Sequence, residues 1–208
     1  MIEIGPSALF DEKAHAYFYQ GKRVPSFSWV MRACGLVNDY GSDFAMKRGA
    51  AVHRACELLV KGTLDPATVD PRIAGYVEAF KRAREELGFT PDPALVEKPM
   101  INPVYLFGVK PDMPGRFNGE SVGLIELKST NSPSAFPRAV KMQTAAQGLT
   151  LWPTAYMNAR RVAVQLRPDG SYAKEEHEDL DDFDNFLALL KSAMIRLDAG
   201  LVKLNEED

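Results

Sequence analysis

Two carboxylates and an ammonium stand close together in the middle of the chain. Asp112 ends the stretch GVKPD (108–112), and Glu126 and Lys128 lie inside GLIELKST (123–130). Val122, Leu124 and Ile125 make the second stretch read as a strand, loosened by Gly119 and Gly123. Strand periodicity puts Glu126 and Lys128 on one face and Leu127 on the other. One apolar run ending in Asp112 and a second ending in Glu126-Leu127-Lys128 predict a hairpin that delivers all three groups to one end. Carboxylates that converge repel each other unless a cation sits between them, and a single ammonium fits that role poorly. A divalent ion with oxygen ligands is its natural occupant. An isolated E-x-K also describes a surface ion pair at a strand end; Asp112 is what tips the balance.

Two helical stretches offer further groups. In RGAAVHRACE (48–57), Gly49, His53 and Glu57 fall at helical spacing and stack on one side. Gly49 leaves room for an approaching group, His53 can ligate through a neutral imidazole, and Glu57 can orient or ligate. A helix-surface His–Glu hydrogen bond is the plain alternative. In the second stretch Gln143 and Gln147 are again one turn apart, with Arg138 and Lys141 nearby. Side-chain amides beside a basic turn suit phosphate oxygens or a base, and a solvated polar face is the other reading. Arg48, Arg54, Lys110 and Arg116 flank the same motifs and can neutralise a phosphate backbone locally. Hydrolysis at such a site would use a cation to polarise a phosphate and acidify water. Lys128 acts as a base there only if its pKa is lowered.

The 208 residues, 46% hydrophobic and 25% charged, suit one compact domain with its own core. A net charge of −3 leaves no global basic field, so any phosphate-binding surface must be local. Cys34 and Cys56 are too few for a four-cysteine cluster and read as reduced thiols. No apolar run approaches membrane-spanning length, and the N-terminus lacks a basic-then-apolar leader pattern. The expectation is a cytoplasmic protein with no membrane partner.

The elements that must position these groups follow in order. Residues 7–30 predict an aromatic hairpin turning at Gln20-Gly21-Lys22, with a short helix over 28–34 closing on Gly35. Tyr17, Tyr19, Phe27, Trp29 and Tyr40 either stack on bases or pack a core; packing is the expectation. A helix over 43–61 presents Phe44, Ala51, Val52, Ala55, Leu58 and Leu59 on one face, and a second runs from Pro71 to Gly88. Pro91 and Pro93 break the chain. Three strands are predicted at 94–101, 104–110 and 121–128, with Pro114-Gly115 and Asn118-Gly119 as turns. A helix starting in 131–134 runs to about 151, a strand covers 158–167 with a short partner at 171–177, and a covering helix spans 180–199. The result is an α/β fold with a central mixed sheet flanked by helices. Residues 1–42 form an N-terminal extension, 43–167 the core, and 168–208 a C-terminal strand and helix.

The set RGAAVHRACE (48–57), GVKPD (108–112), IELKST (125–130) and MQTAAQ (142–147) resembles the PD-(D/E)XK nuclease superfamily, in its RecB-like and phage-exonuclease branch. HAYFYQGKRVPSFSWVMRACGL (15–36) is similar to the start of phage-borne members, so the likeness spans about 15–166. It implies a restriction-endonuclease-like αβββαβ core and a metal-dependent deoxyribonuclease, most simply an exonuclease of recombination or end processing. Endonuclease, RNA-directed and catalytically idle DNA-binding versions are its alternatives. Carried over by position, it makes His53, Asp112 and Glu126 ligands of Mg²⁺ or Mn²⁺. Lys128 would hold or deprotonate the attacking water, or stabilise the charged phosphorane. Gln143 would be catalytic alongside Asp112, Glu126 and Lys128, positioning substrate or the lysine. Gln147, Glu57, Arg48, Lys141 and Arg138 would support substrate or ligands. The cysteine set of the iron–sulfur branch is missing, so no cluster is implied, and Gln147 stands where many relatives carry Tyr. DNA is the implied partner, in a bacterial or phage-infected cell. A single-strand annealing protein and self-assembly follow by analogy alone.

Overall fold

The computed structural model describes residues 1–36, 42–131 and 133–204; the expectation for Tyr40 and part of the 131–134 cluster lie outside them. It begins with four antiparallel strands in sequence order, β1 (Ile2–Gly5), β2 (Ala8–Asp11), β3 (Ala16–Tyr19) and β4 (Lys22–Val24). The expected β3–β4 hairpin turns at Gln20-Gly21, both with positive φ, the backbone that matches strand twist in a two-residue turn. Two further strands precede it, each of four residues and too short for its alternation to be read. Helix α1 (Phe27–Ala33) is capped by the Ser26 hydroxyl, which accepts from Trp29 N.

Helices α2 (Asp43–Val60) and α3 (Pro71–Glu86) follow, capped by the side chains of Ser42 and Asp70, with Pro71 in the first turn of α3. The apolar face expected on the first helix is shorter than proposed. Val52, Ala55 and Cys56 are buried, whereas Phe44, in the first turn of α2, and Ala51, on the side of the helix away from the core, are exposed.

The central sheet has five strands in the order β11-β10-β9-β8-β5. These are β5 (Phe89–Pro91), β8 (Met113–Phe117), β9 (Ser121–Ser129), β10 (Arg160–Leu166) and β11 (Tyr172–Glu176). Strand β10 runs parallel to β9 and every other pairing is antiparallel, so the sheet is mixed. Helices α2 and α3 pack on one face over Ile125, Leu127, Val162, Val164 and Leu166. On the other face α4 (Ala139–Leu151) and α5 (Asp181–Asp198) pack with α1 around Phe107, Phe183 and Phe186.

Three expectations in the middle of the chain are corrected. The strand at 94–101 shrinks to β6 (Met100–Asn102), because Asp92 caps a single turn over 92–98 and Pro99 ends it. The strand at 104–110 is β7 (Phe107–Val109), paired with β6 in a separate two-stranded sheet. The partner of β9 is instead β8, whose Pro114-Gly115 reads as turn chemistry. Gly115 is needed there for closeness, since a Cβ would meet Thr90 O at 2.2 Å across the β5–β8 pair. Asp112 therefore precedes its strand rather than ending one. Likewise α4 starts at Ala139 rather than in 131–134, since Pro133 and Pro137 disfavour helix before them.

Candidate active site

The β8–β9 register sets Met113 opposite Ile125, which carries Asp112 and Glu126 to the same end of the sheet. Leu127 turns into the α2–α3 core, while Glu126 and Lys128 face α4. Asp112 is fixed through Oδ2, which accepts from Leu127 N at 2.7 Å. Lys128 Nζ donates to Glu126 Oε1 at 2.7 Å and to Gln143 Oε1 at 3.2 Å. Gln147 Nε2 donates to Glu126 Oε2 at 2.8 Å. One turn of α4 thus holds both the carboxylate and the ammonium of the E-x-K strand. The Oε1 of Gln147 is buried and finds no partner among the described residues.

His53 reaches the same point from α2: its Nδ1 lies 3.3 Å from Asp112 Oδ1 and 3.1 Å from Glu97 Oε1. Glu97, on the turn before β6, was not foreseen, because its stretch reads as strand and no spacing ties it to the other acids. Its second oxygen accepts from Lys110 Nζ at 2.8 Å. One ligand atom from each of His53, Glu97 and Asp112 falls within 4.8 Å of the others. Around them is a cavity of about 230 Å³ whose wall includes His53, Glu97, Asp112, Gln143 and Gln147. The N-terminal extension closes its opposite side with His15, Tyr17 and Ser26 to Ser28. Tyr17, Phe27 and Trp29 are otherwise buried, so these aromatics pack rather than stack on bases.

The electrostatics follow from three acids crowded out of water. Burial, reinforced by Asp112, pushes the Glu126 carboxyl up to about 7 despite Lys128 and Gln147. Burial would raise Asp112 too, but His53, Lys128 and the Leu127 N–H together bring it below the usual carboxylate range. Burial works against charge on His53 and is overcome by Asp112 and Glu97, which hold the imidazole well above its ordinary pKa. Lys128 is raised in the same way, against burial, by Glu126 and Asp112. In the metal-free site this raised pKa keeps Lys128 an ammonium.

The remaining expected residues divide. Glu57 does not meet His53; it pairs with Arg54 at 2.6 Å and Lys61 at 2.6 Å along its own helix. Arg48 Nη1 donates to Asn131 Oδ1 at 2.8 Å and the guanidinium lies over the Tyr76 ring, tying α2 to the end of β9. Lys141 turns to buried Asp182 on α5 at 3.2 Å, away from the cavity. Arg138 is exposed at the start of α4, and Arg116 donates to Glu120 O at the far end of the β8–β9 hairpin. Of the flanking basic residues, Lys110 stays beside the acids, on Glu97, while Arg48, Arg116, Arg138 and Lys141 turn elsewhere.

No family model matches the chain, and no curated protein matches it. Among solved structures it is similar to that of SSO0001, at 16% identity and a TM-score of 0.40, over 86% of this chain and 85% of that one.

The site's own residues fit a hard divalent cation. Carboxylate oxygens and an imidazole converge, the acids are buried with too few ammonium partners, and an acceptor amide oxygen is left open beside them. No helix among the described residues is long and apolar enough to cross a membrane.

Proposed function

We propose that the chain is a metal-dependent nuclease that hydrolyses phosphodiester bonds in DNA, with a restriction-endonuclease-like core built from α2, β8, β9, α4 and β10. The observation that carries this reading is the meeting of Asp112, Glu126, Lys128 and Gln143 at one end of the β8–β9 hairpin, with His53 beside them. Three motifs far apart in sequence converge on one cavity. Asp112, Glu126 and His53 are the residues proposed to hold Mg²⁺ or Mn²⁺. The bound ion supplies Lewis-acid charge at the phosphate and makes a water acidic enough to attack near neutral pH.

The chain's own groups do the positioning. Lys128 stays an ammonium, held by Glu126 and Gln143, and stabilises the negative charge that builds on the phosphate oxygens. Gln147 keeps Glu126 from rotating away, and the Leu127 N–H does the same for Asp112. His53 must shed its proton to serve as a ligand, so proton and cation compete at that nitrogen.

The deciding experiment uses end-labelled linear and covalently closed circular DNA with Mg²⁺, Mn²⁺ or EDTA, for wild type and Lys128→Ala. Metal-dependent loss of linear DNA alone, abolished in the variant, is the expected result. Cutting of circles would keep the site and make the protein an endonuclease. DNA bound but left intact by both proteins would overturn the enzyme in favour of a binding module.

A further inference from the structure

We infer that Glu97 is a ligand of the cation shared by His53 and Asp112, so that the turn before β6 contributes to the metal shell alongside α2 and the β8–β9 hairpin. The inference rests on the reading of the site as a divalent-cation centre and names a ligand that reading does not include.

Glu97 has the geometry of a placed group. Its side chain is 9% exposed, and one carboxylate oxygen lies 3.1 Å from His53 Nδ1. Its backbone is left-handed, with φ of 54°, a conformation disfavoured for a residue with a long side chain. The chain is locked there because Glu97 N donates to Pro111 O at 3.0 Å and to Asp112 O at 3.3 Å. The turn is thereby tied to the residue before and the residue at the central aspartate, and the carboxylate is turned inward. Strain of this kind persists where the surroundings over-determine it, as at ligand clamps.

Glu126, proposed above as a ligand, has both oxygens engaged, by Lys128 and Gln147, and lies outside the group of His53, Glu97 and Asp112 whose ligand atoms fall within 4.8 Å of one another. Glu97 likewise uses one oxygen toward His53 and the other toward Lys110, whose side chain is 37% exposed. An exposed ammonium is easily exchanged for solvent, so Glu97 can turn its charge to an ion at modest cost. A second observation points independently to a ligand in this space. Gln147 is 1% exposed, lines the same cavity, and leaves its acceptor Oε1 unpartnered. A buried acceptor without a donor costs stability, and a hydrated cation beside it supplies donors. Glu97 also borders a second cavity of about 560 Å³, formed with Glu12, Gly49, Arg54, Glu57 and Lys110, so the site opens on two sides.

The test is Mn²⁺ binding to the full chain, read by calorimetry and by electron paramagnetic resonance of the ion. It compares wild type, Glu97→Gln, Glu97→Gly and the surface control Glu78→Gln. Loss of a partner outside the metal shell already weakens metal affinity by about 10–100-fold, so loss of a direct ligand is expected to weaken Mn²⁺ binding at least that much. The control should bind as wild type does. Glycine accepts the left-handed backbone without strain, so Glu97→Gly reports on the carboxylate even if Glu97→Gln disturbs the turn. A folded Glu97 variant that binds Mn²⁺ within about twofold of wild type overturns the assignment and leaves the nuclease reading standing. A wild-type chain that binds no Mn²⁺ overturns both.

Discussion

Lys128 is the residue on which the chemistry can be tested most directly, because it touches a proposed ligand and a proposed positioning amide at once. Its replacement by alanine removes a fixed positive charge aimed at the reacting phosphate. By comparison with the loss of one preorganised donor, kcat should fall about 10²–10³-fold with DNA binding little changed, measured by single-turnover cleavage alongside a binding titration. Gln147 acts one step back. With its donor gone in Gln147→Leu, the buried Glu126 carboxylate loses a hydrogen bond and its pKa should climb above the present value of about 7. In the metal-free chain the titration of the Glu126 carboxyl, followed by NMR, should move to higher pH, whereas a merely structural role would leave it in place. Much of this arrangement was visible in the residues: Asp112, Glu126, Lys128, His53 and Gln143 do come together. Glu97 was not, because an acid in an apolar stretch carries no spacing signal, and only the capped turn after Asp92 brings it inward. Glu57 was misleading for the converse reason: helical spacing shows which side chains share a face, not which face meets the sheet.

At the scale of elements, the site depends on how closely the N-terminal sheet and β7 can approach. Gly108 pairs with that extension through Gly108 N to Pro25 O at 2.8 Å, and a Cβ there would strike the Tyr17 ring at 2.2 Å. Gly108→Ala should cost about 1–3 kcal/mol of stability, read by chemical denaturation, and loosen the wall of the cavity that Tyr17 forms. The error over the central strands also belongs to this scale. A proline followed by glycine is usually a turn, yet here Gly115 and Gly123 are small so that β5 and Arg160 O can lie against the strands. Sequence alone does not distinguish a glycine chosen for curvature from one chosen for proximity. The β10–β11 hairpin and α5, by contrast, followed their patterns, because alternation and an apolar stripe are local signals.

For the whole molecule, crowding of buried acids predicts how stability without metal depends on pH. Folding raises the pKa of His53 and of Glu126, so the folded chain binds more protons than the unfolded one between the ordinary and the raised values. The corresponding stability is present at low pH. For Glu126 it is lost as pH rises from about 4.5 to about 7, and for His53 as pH rises beyond 6.5 through its raised value. Asp112, lowered below 3.8, has the opposite sign but acts only in strong acid. Burial lowers His15 and His177, whose contribution has the opposite sign below about pH 6.5, so the metal-free melting temperature should fall from about pH 7 to pH 9, and saturating Mn²⁺ should reverse most of the fall, since a cation replaces the protons being lost. A flat profile without metal, followed by calorimetry, would contradict the electrostatic picture.

By itself the sequence determined the elements whose signals are local: the approximate spans of the helices, the strand carrying Glu126 and Lys128 on one face, and the amides one turn apart on α4. It also determined the mixed α/β class, since the order of helices and strands admits few other arrangements. Only the tertiary structure decided which strand lies beside β9, which acid joins His53, and which basic residues leave the site. Those outcomes depend on contacts between residues distant in the chain, such as Asp112 with the Leu127 N–H and Glu97 with the carbonyls of Pro111 and Asp112. Hydrophobic period and turn chemistry describe a segment and its immediate neighbours. The register between segments is fixed by side-chain volume and buried polar groups that must find partners across the fold.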